Sequence, residues 1–338
     1  CRSFFLADPQ GKPLPNFQPG QYLTFELPVA NAPRPLVRCY SLSERPRPDY
    51  YRVTIKRAIA PAMDPELPPG KGSNFFFDHV RAGSELAVKA PAGRFFLDPA
   101  SRSPVVLIGG GIGITPILSM VNTIVHEQPG RLAYVFAAMR SAREHPFFFH
   151  LKSVAAEHPQ IRLFACHSRP FPDEQLGRDY QHAGRLSVDV LRKALPSSNF
   201  SYYICGAGAM MGELVPALTA WGIPERDIHY ETFGPSSLAK MLPETPVEEP
   251  DLPTAASVNF ARSQCKLPWK TSAKSILELA NQNGLRLESG CCTGNCGACA
   301  VRLLVGQVSY LRPPGTKIPA NECLPCVGIP DGDVTLDA

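Results

Sequence analysis

No apolar run in this 338-residue sequence is long enough to span a bilayer; the run around Val105 to Ile108 is strand-sized and ends in glycines. No long basic block is present. With 34 Lys and Arg against 30 Asp and Glu, the formal net charge is only +4, too small a field to argue for a nucleic-acid partner. No signal peptide is visible, and there is no internal repeat. The cysteine count is eleven, an odd number, which argues against a disulfide scaffold and for a reducing, cytoplasmic setting with a local metal site. The sequence begins at Cys1 rather than Met, inside a stretch, Ser3-Phe4-Phe5-Leu6, that reads as a strand. It is therefore expected to be part of a longer chain, with a missing N-terminal module as one possibility.

What is present is a 44% hydrophobic chain, long enough for two or three cores. The first hundred residues read as β. Tyr22 to Leu27, Tyr51 to Lys56 and Glu85 to Lys89 alternate with period two between Pro- and Gly-rich turns, the pattern of an antiparallel barrel. From Pro104 the texture changes. Val105 to Ile108 is a buried strand, Pro116 to Glu127 a helix, Leu132 to Ala137 a strand, and alternation continues through Tyr202 to Cys205 and Met210 to Trp221. This predicts an α/β parallel-sheet domain. Pro243, Pro246, Pro250 and Pro253 then punctuate an acidic stretch that reads as a semi-rigid linker. Beyond it, Val258 to Cys265 reads as a strand and Ser275 to Asn281 as a short helix. The expected organisation is a multidomain chain: 1–101 barrel, 102–236 nucleotide domain, 237–257 linker and 258–338 cysteine domain.

Six of the cysteines crowd the C-terminal segment. Ser289-Gly290-Cys291-Cys292-Thr293-Gly294-Asn295-Cys296-Gly297-Ala298-Cys299 contains C-x4-C-x2-C, and Cys326 follows downstream in Leu324-Pro325-Cys326. That is the spacing of a plant-type [2Fe–2S] site, with glycines that let the backbone wrap the cluster and aim N–H groups at sulfur. A structural zinc site is the alternative, but zinc ordinarily takes two C-x2-C knuckles separated by a longer loop. The segment 258–338 resembles the ferredoxin family, which implies a β-grasp fold and a cluster held by Cys291, Cys296, Cys299 and Cys326. Cys292 and Cys323 are expected to be free thiols nearby.

Upstream, Arg38-Cys39-Tyr40-Ser41 fits an R-x-Y-S pattern. It is preceded by Pro19-Gly20-Gln21-Tyr22 and followed by Gly70-Lys71-Gly72-Ser73-Asn74 and Ala90-Pro91-Ala92-Gly93-Arg94-Phe95. In this order the segments resemble the ferredoxin–NADP reductase superfamily, as found in the reductase half of flavohaemoglobins and in oxygenase reductases, over residues 1–235. The resemblance implies a bound flavin, FAD in preference to FMN. Arg38 suits its phosphate, Tyr40 its ring face and Ser41 its N5. Gly72 and Ser73 open a helix whose N–H groups suit a pyrophosphate. Tyr22, Cys39, Lys56 and Asn74 complete the candidate flavin set, with Phe233 and Gly234 from the Glu231-Thr232-Phe233-Gly234-Pro235 segment.

Val105 to Ile108 runs into Gly109-Gly110-Gly111-Ile112-Gly113-Ile114-Thr115-Pro116, which is not the G-x-G-x-x-G fingerprint but matches the superfamily's G-G-x-G-I-T-P form. Thr115 is expected as N-cap and Pro116 as the first helical residue, so that the helix N-terminus faces the coenzyme phosphates. Cys205-Gly206-Ala207-Gly208-Ala209-Met210 resembles the family's C-G-P-x-x-M element beside the nicotinamide, with Ala207 in place of Pro. Catalytic candidates are Ser41, Cys205 and Glu231. Arg140 and Arg143 follow the second strand of the nucleotide domain and could clamp a 2′-phosphate. Arg143 could equally pair with Glu144. The resemblance to oxygenase reductases tips the expectation toward NADH.

Together the resemblances imply an NAD(P)H-dependent electron-transfer reductase. Hydride passes to the flavin, then single electrons pass through the cluster to a protein acceptor, a terminal oxygenase or a haem or other metal protein. A redox-sensing module that uses the same groups without steady turnover is the alternative.

Overall fold

The computed structural model describes residues 1–29, 35–59, 69–233, 256–269, 273–292, 294, 296–310, 313–316 and 318–338. The linker expected at 237–257 and candidate residue Gly234 lie, the linker almost wholly, outside them. The chain divides into two compact units, Cys1–Leu23 with Tyr40–Met241, and Thr24–Cys39 with Leu242–Ala338. Among the described residues no helix is long and apolar enough to cross a membrane.

The N-terminal strands are β1 (Arg2–Leu6), β2 (Tyr22–Leu27), β3 (Leu36–Ser41), β4 (Tyr51–Ile55) and β5 (Ala87–Ala92). β1 pairs antiparallel with β4, and a second sheet runs β3-β2-β5. β5 starts two residues later than the alternation at Glu85 implies and takes in Ala90-Pro91-Ala92. The helix α1 (Lys71–His79) begins where Gly72 and Ser73 predict, after Gly70.

The nucleotide half contains β6 (Val105–Gly110), α2 (Ile114–Glu127), β7 (Ala133–Met139), α3 (Phe148–Glu157), β8 (Ile161–His167), β9 (His182–Ala183), α4 (Val188–Ala194), β10 (Ser201–Ala207), α5 (Gly208–Ala220) and β11 (Ile228–Phe233). All pairings in its six-stranded sheet are parallel, in the order β11-β10-β6-β7-β8-β9. The near-continuous apolar run of β6 now has its reason. Val105 and Leu107 face one core with Ile117, Val121 and Leu151, while Val106 and Ile108 face another with Leu191, Met211 and Leu214. A strand covered by helices on both faces has no polar side to alternate with. The chain runs outward from β6 to β9, then returns to place β10 on the other flank of β6. The β6–β10 boundary is therefore the switch point at which an open α/β sheet leaves a crevice beyond its carboxyl ends.

The C-terminal segment forms β12 (Ser257–Phe260), β13 (Cys265–Pro268), α6 (Ile276–Gln282), β14 (Val301–Val305), β15 (Val308–Tyr310), β16 (Glu322–Cys323), β17 (Gly328–Pro330) and β18 (Val334–Leu336). Its main sheet runs β13-β12-β18-β14-β16, with β12 and β18 parallel and their outer neighbours antiparallel. This is a β-grasp arrangement, with Ile276, Leu279 and Ala280 of α6 in the same core as Val258, Phe260 and Leu336. The single strand expected over Val258 to Cys265 is instead two antiparallel strands. The turn between them places Gln264 at φ 50°, a left-handed conformation that no pattern of alternation reveals.

Helix α6 is capped by Ser275, whose hydroxyl accepts from Glu278 N at 3.2 Å, while Glu278 Oε2 accepts from Lys274 N at 3.0 Å. Its Leu277 N–H donates to Pro325 O at 2.9 Å, which ties the helix to the residue before Cys326. Ser275→Ala removes the cap and should destabilise the C-terminal domain by about 1 kcal/mol. Chemical denaturation followed by circular dichroism reads this as a lower midpoint; an unchanged midpoint would show that the cap contributes nothing.

Candidate functional site

The glycine turn after β6 is shaped by close approach. A Cβ on Gly109 would lie 2.8 Å from Ile114 Cα, one on Gly113 would strike the Cys205 carbonyl, and one on Gly110 would strike Met210 Sδ. From the β10 side, a Cβ on Gly206 would lie 3.2 Å from Gly110 Cα. Gly111 differs: its φ is 56° and a Cβ there would meet nothing within 4 Å. Three of the four glycines of the turn after β6 thus serve packing, and Gly111 is where the backbone turns its open face outward. Thr115 is not the N-cap. A short 3₁₀ turn, Gly111–Gly113, leads into α2, so Thr115 and Pro116 lie inside the helix. The Thr115 hydroxyl donates to Ile112 O at 2.9 Å and closes that turn.

Cys205 is fully buried in β10, in register with Gly109 on one side and Glu231 on the other. Burial, reinforced by the neighbouring Glu231 carboxylate, holds its thiol well above the usual range, so it is a neutral, apolar wall rather than a thiolate. The segment Cys205-Gly206-Ala207 is not a loop. It continues β10, and α5 starts at Gly208, so parallel pairing to β11 supplies the stiffness that the missing proline would otherwise give. Phe233 ends β11 opposite Ala207 and is half-buried.

Arg38, Cys39, Tyr40 and Ser41 stand consecutively on β3. Arg38 Nη1 donates to its neighbour's carbonyl, Val37 O, at 2.7 Å, and Cys39 Sγ lies 3.6 Å from Thr24 Oγ1. The Tyr40 ring meets Phe76 edge-on at 5.2 Å, and Ser41 is buried. Tyr22 is only 3% exposed, and its ring fills the space a side chain at Gly93 would take, 3.0 Å from an ideal Cβ. Ser73 Oγ accepts from Ala58 N and donates to Gly70 O, and Asn74 Nδ2 donates to Ala58 O and Gly70 O, while Asn74 Oδ1 accepts from Arg57 Nε at 2.6 Å. Lys56 lies 3.5 Å from Glu144.

After β7 the two arginines both have acidic partners. Arg140 lies 3.8 Å from Glu144, and Arg143 pairs with Asp173 at 3.0 Å and stacks over the Phe171 ring at 4.2 Å. The pairing of Arg143 with Glu144 considered from sequence is replaced by one to a residue thirty positions away. Asp173 carries no motif, and only the β7–β8 pairing brings it here.

Four of the six C-terminal cysteines form two pairs. Cys291 N–H donates to Cys296 Sγ at 3.2 Å, and Cys296 N–H donates to Cys291 Sγ at 3.3 Å. Ala298 N–H donates to Cys296 Sγ at 3.4 Å. Cys299 Sγ lies 3.1 Å from Cys326 Sγ, and their shared proton holds Cys299 below and Cys326 above the usual thiol range. Among the described residues no three Cys, His, Asp or Glu surround one ion position. Two thiol pairs suit two irons, each taking two protein sulfurs, better than a single tetrahedral zinc. Backbone N–H groups already aimed at sulfur are what a cluster gaining negative charge requires. Cys323 differs: it is 1% exposed within the apolar β-grasp core, and burial pushes its thiol up to about 12. Cys292 has φ 53°, and its Sγ donates to Gly290 O at 3.7 Å.

A parallel sheet with a glycine turn at its switch point, followed in the chain by a β-grasp domain with paired thiols, is the arrangement of a nucleotide-binding module and an iron–sulfur module. Residues 107–215 match the oxidoreductase NAD-binding domain family and residues 258–331 match the 2Fe-2S iron-sulfur cluster binding domain family. Over 235 residues the chain is 35% identical to a flavohemoprotein of Bacillus cereus, a match covering 70% of this chain and 58% of that protein. It is 37% identical to the flavohemoprotein of Deinococcus radiodurans over 69% of this chain and 56% of that one. The chain thus spans less than two thirds of these relatives' length. Phthalate dioxygenase reductase, described as modular for electron transfer from pyridine nucleotides to [2Fe-2S], aligns over 99% of this chain and 92% of its own, with TM-score 0.57 and 27% identity. The FAD/NAD binding domain of nitric oxide dioxygenase from Vibrio cholerae aligns over 69% of this chain and 92% of its own, with TM-score 0.60 and 28% identity.

Replacing Cys291, Cys296, Cys299 or Cys326 singly with Ser should lower bound iron and bleach the visible absorption. Cys292→Ser and Cys323→Ala should leave both intact, alanine being the choice at the apolar Cys323 position. Iron content and absorption spectra check this. Iron lost from Cys323→Ala and kept by Cys326→Ser would reverse the assignment of the fourth ligand.

Proposed function

We propose that this chain is an NAD(P)H-dependent electron-transfer reductase that delivers single electrons to a protein acceptor, a terminal oxygenase or a haem or other metal protein. The observation that carries the reading is the presence on one chain of a nucleotide turn at a parallel-sheet switch point and two thiol pairs in a β-grasp domain. The proposed modules are 1–101 for the flavin, 102–236 for the coenzyme, 237–257 as linker and 258–338 for the cluster. When bound, the flavin turns a hydride into single electrons and the cluster carries them.

The residues would act as follows. Arg38 offers a guanidinium for the flavin phosphate and Tyr40 an aromatic face for the ring. Ser41 offers a hydroxyl at the hydride-accepting nitrogen. FAD is favoured over FMN, and the FAD/NAD domain of the Vibrio cholerae relative supports that choice. The turn around Gly111 receives the coenzyme pyrophosphate at the N-terminal end of α2. Buried neutral Cys205 and the adjacent Glu231 would flank a bound nicotinamide, and Phe233 would offer an aromatic cover for the flavin ring. A coenzyme held at the switch point would bring its adenosine half toward the loop after β7. There Asp173 already occupies Arg143, and Glu144 lies beside Arg140, so a 2′-phosphate would have to displace a carboxylate. This favours NADH.

The holoprotein should oxidise NADH steadily with ferricyanide or cytochrome c, and Cys291→Ser should keep the ferricyanide activity while losing most of the cytochrome c activity. Absence of steady turnover with either acceptor would instead support a redox sensor. Equal cytochrome c reduction with and without iron would remove the cluster from the route.

Asp173→Ser frees Arg143, so it should raise kcat/KM for NADPH relative to NADH. Both pairings are solvent-exposed and therefore weak, so the change is expected to be severalfold rather than hundreds. Steady-state kinetics with both coenzymes decide the matter. A wild-type preference for NADPH of about tenfold, roughly 1.4 kcal/mol of differential binding, would overturn the NADH reading.

A further inference from the structure

Beneath the exposed arginines after β7 lies a buried polar pair that no site residue accounts for. His167, the last residue of β8, is fully buried, and its Nδ1 lies 2.8 Å from Glu174 Oε2, whose side chain is only 6% exposed. The other carboxylate oxygen, Glu174 Oε1, accepts from the Ala142 backbone N–H at 3.0 Å. Around it, Ser168 N–H donates to Met139 O at 3.0 Å and Arg169 N–H to Arg140 O at 2.7 Å. Arg143 is held by Asp173 and Phe171, the residues just before Glu174. The His167 ring is enclosed by the rings of Tyr180 at 5.2 Å, His145 at 6.2 Å and Phe148 at 6.4 Å.

Burying a carboxylate and an imidazole is costly, and an apolar pair would fill the same space without that cost. The carboxylate supplies something an apolar group cannot, namely two acceptors at a fixed angle. One oxygen receives the Nδ1–H of a ring locked by its aromatic surroundings. The other receives the N–H of Ala142, in the centre of the segment that carries Arg140, Ser141 and Arg143. The loop backbone is thereby referenced to the rigid end of β8 rather than left to solvent.

We infer that Glu174, oriented by His167, is a positioning residue that fixes the loop after β7 as the seat for the adenosine half of the coenzyme. The inference rests on the proposed use of a nicotinamide dinucleotide. Carboxyl ends of parallel strands are where such ligands lie, and a dinucleotide whose nicotinamide sits by Cys205 places its other end along the strand row toward β7 and β8. Glu174 touches neither coenzyme nor flavin; it acts through Ala142.

The test uses the whole oxidised holoprotein, with ADP-ribose as the probe in calorimetry, and steady-state ferricyanide reduction with either NADH or reduced nicotinamide mononucleotide, which lacks the adenosine half. Glu174→Ala should weaken ADP-ribose binding and raise the NADH KM by about tenfold, the scale of one charged hydrogen bond to a loop amide. Its kcat with NADH, and its kcat/KM with the mononucleotide, should stay at the wild-type level. Glu174→Gln keeps an oxygen for Ala142 and lets the His167 ring take its other tautomer, so it should restore ADP-ribose binding. His167→Phe preserves the ring volume but frees Glu174, and should weaken ADP-ribose binding even if Glu174→Ala does not fold. Wild-type affinity for ADP-ribose in both Glu174→Ala and His167→Phe would overturn the inference. Equal losses with NADH and the mononucleotide, unrelieved in Glu174→Gln, would overturn it as well. A wild-type protein that binds ADP-ribose but turns over neither reduced coenzyme would refute the proposed function and leave the calorimetric arm of this test standing.

Discussion

The carboxyl ends of β6 and β10 approach more closely than side chains would allow, and the nucleotide half of the molecule depends on that contact. Gly110 and Gly206 face each other across it, and Gly113 abuts the Cys205 carbonyl. A methyl group at Gly113 would strike the Cys205 backbone and push α2 away, and one at Gly206 would press on the Gly110 backbone, whereas one at Gly110 would displace the flexible end of Met210. The contact brings α2's first turn against Cys205, and Cys205 in turn lies in register with Glu231. A single steric requirement, the absence of Cβ atoms at one crossing, thus sets where a pyrophosphate and a reactive ring can sit relative to each other. The same glycines that read as a phosphate cradle are, three times out of four around the turn, there for packing, and Gly111 alone faces open space.

The cysteine domain applies a different constraint to the same end of placing charge. Its loop aims backbone N–H groups at Cys291 and Cys296 while Cys299 is brought to Cys326 from far along the chain. The anchor for Cys326 is ordinary helix chemistry: a capped α6 whose second residue donates to Pro325. A metal site of this kind is held by a helix cap and a β-grasp core as much as by its thiols. Cys323, three residues from Cys326, belongs to that core instead.

Much of the site was legible in the sequence, because its signals are local. The spacing of Cys291, Cys296 and Cys299, the glycine run after an apolar strand, and the run Arg38 to Ser41 each sit within a dozen residues, and local chemistry leaves local marks. Where reading by pattern missed, long-range geometry had intervened. Thr115 looked like an N-cap because it precedes Pro116, yet a 3₁₀ turn extends the helical path upstream and draws its hydroxyl to Ile112. The strand expected to end at Cys205 runs on through Gly206 and Ala207, because pairing to β11 extends it.

By itself the sequence determined the kinds of module and the cofactor chemistry each can hold. Periodicity, glycine placement and cysteine spacing are properties of neighbouring residues, and they constrain what a segment can become. Only the tertiary structure decided which groups meet across the chain. Asp173 reaches Arg143, Glu174 reaches Ala142 and His167, and Cys323 turns into the core while Cys326 turns to Cys299. The physical reason is that each of these contacts joins residues set on different elements, and strand pairing and burial fix such distances only once the whole fold has formed.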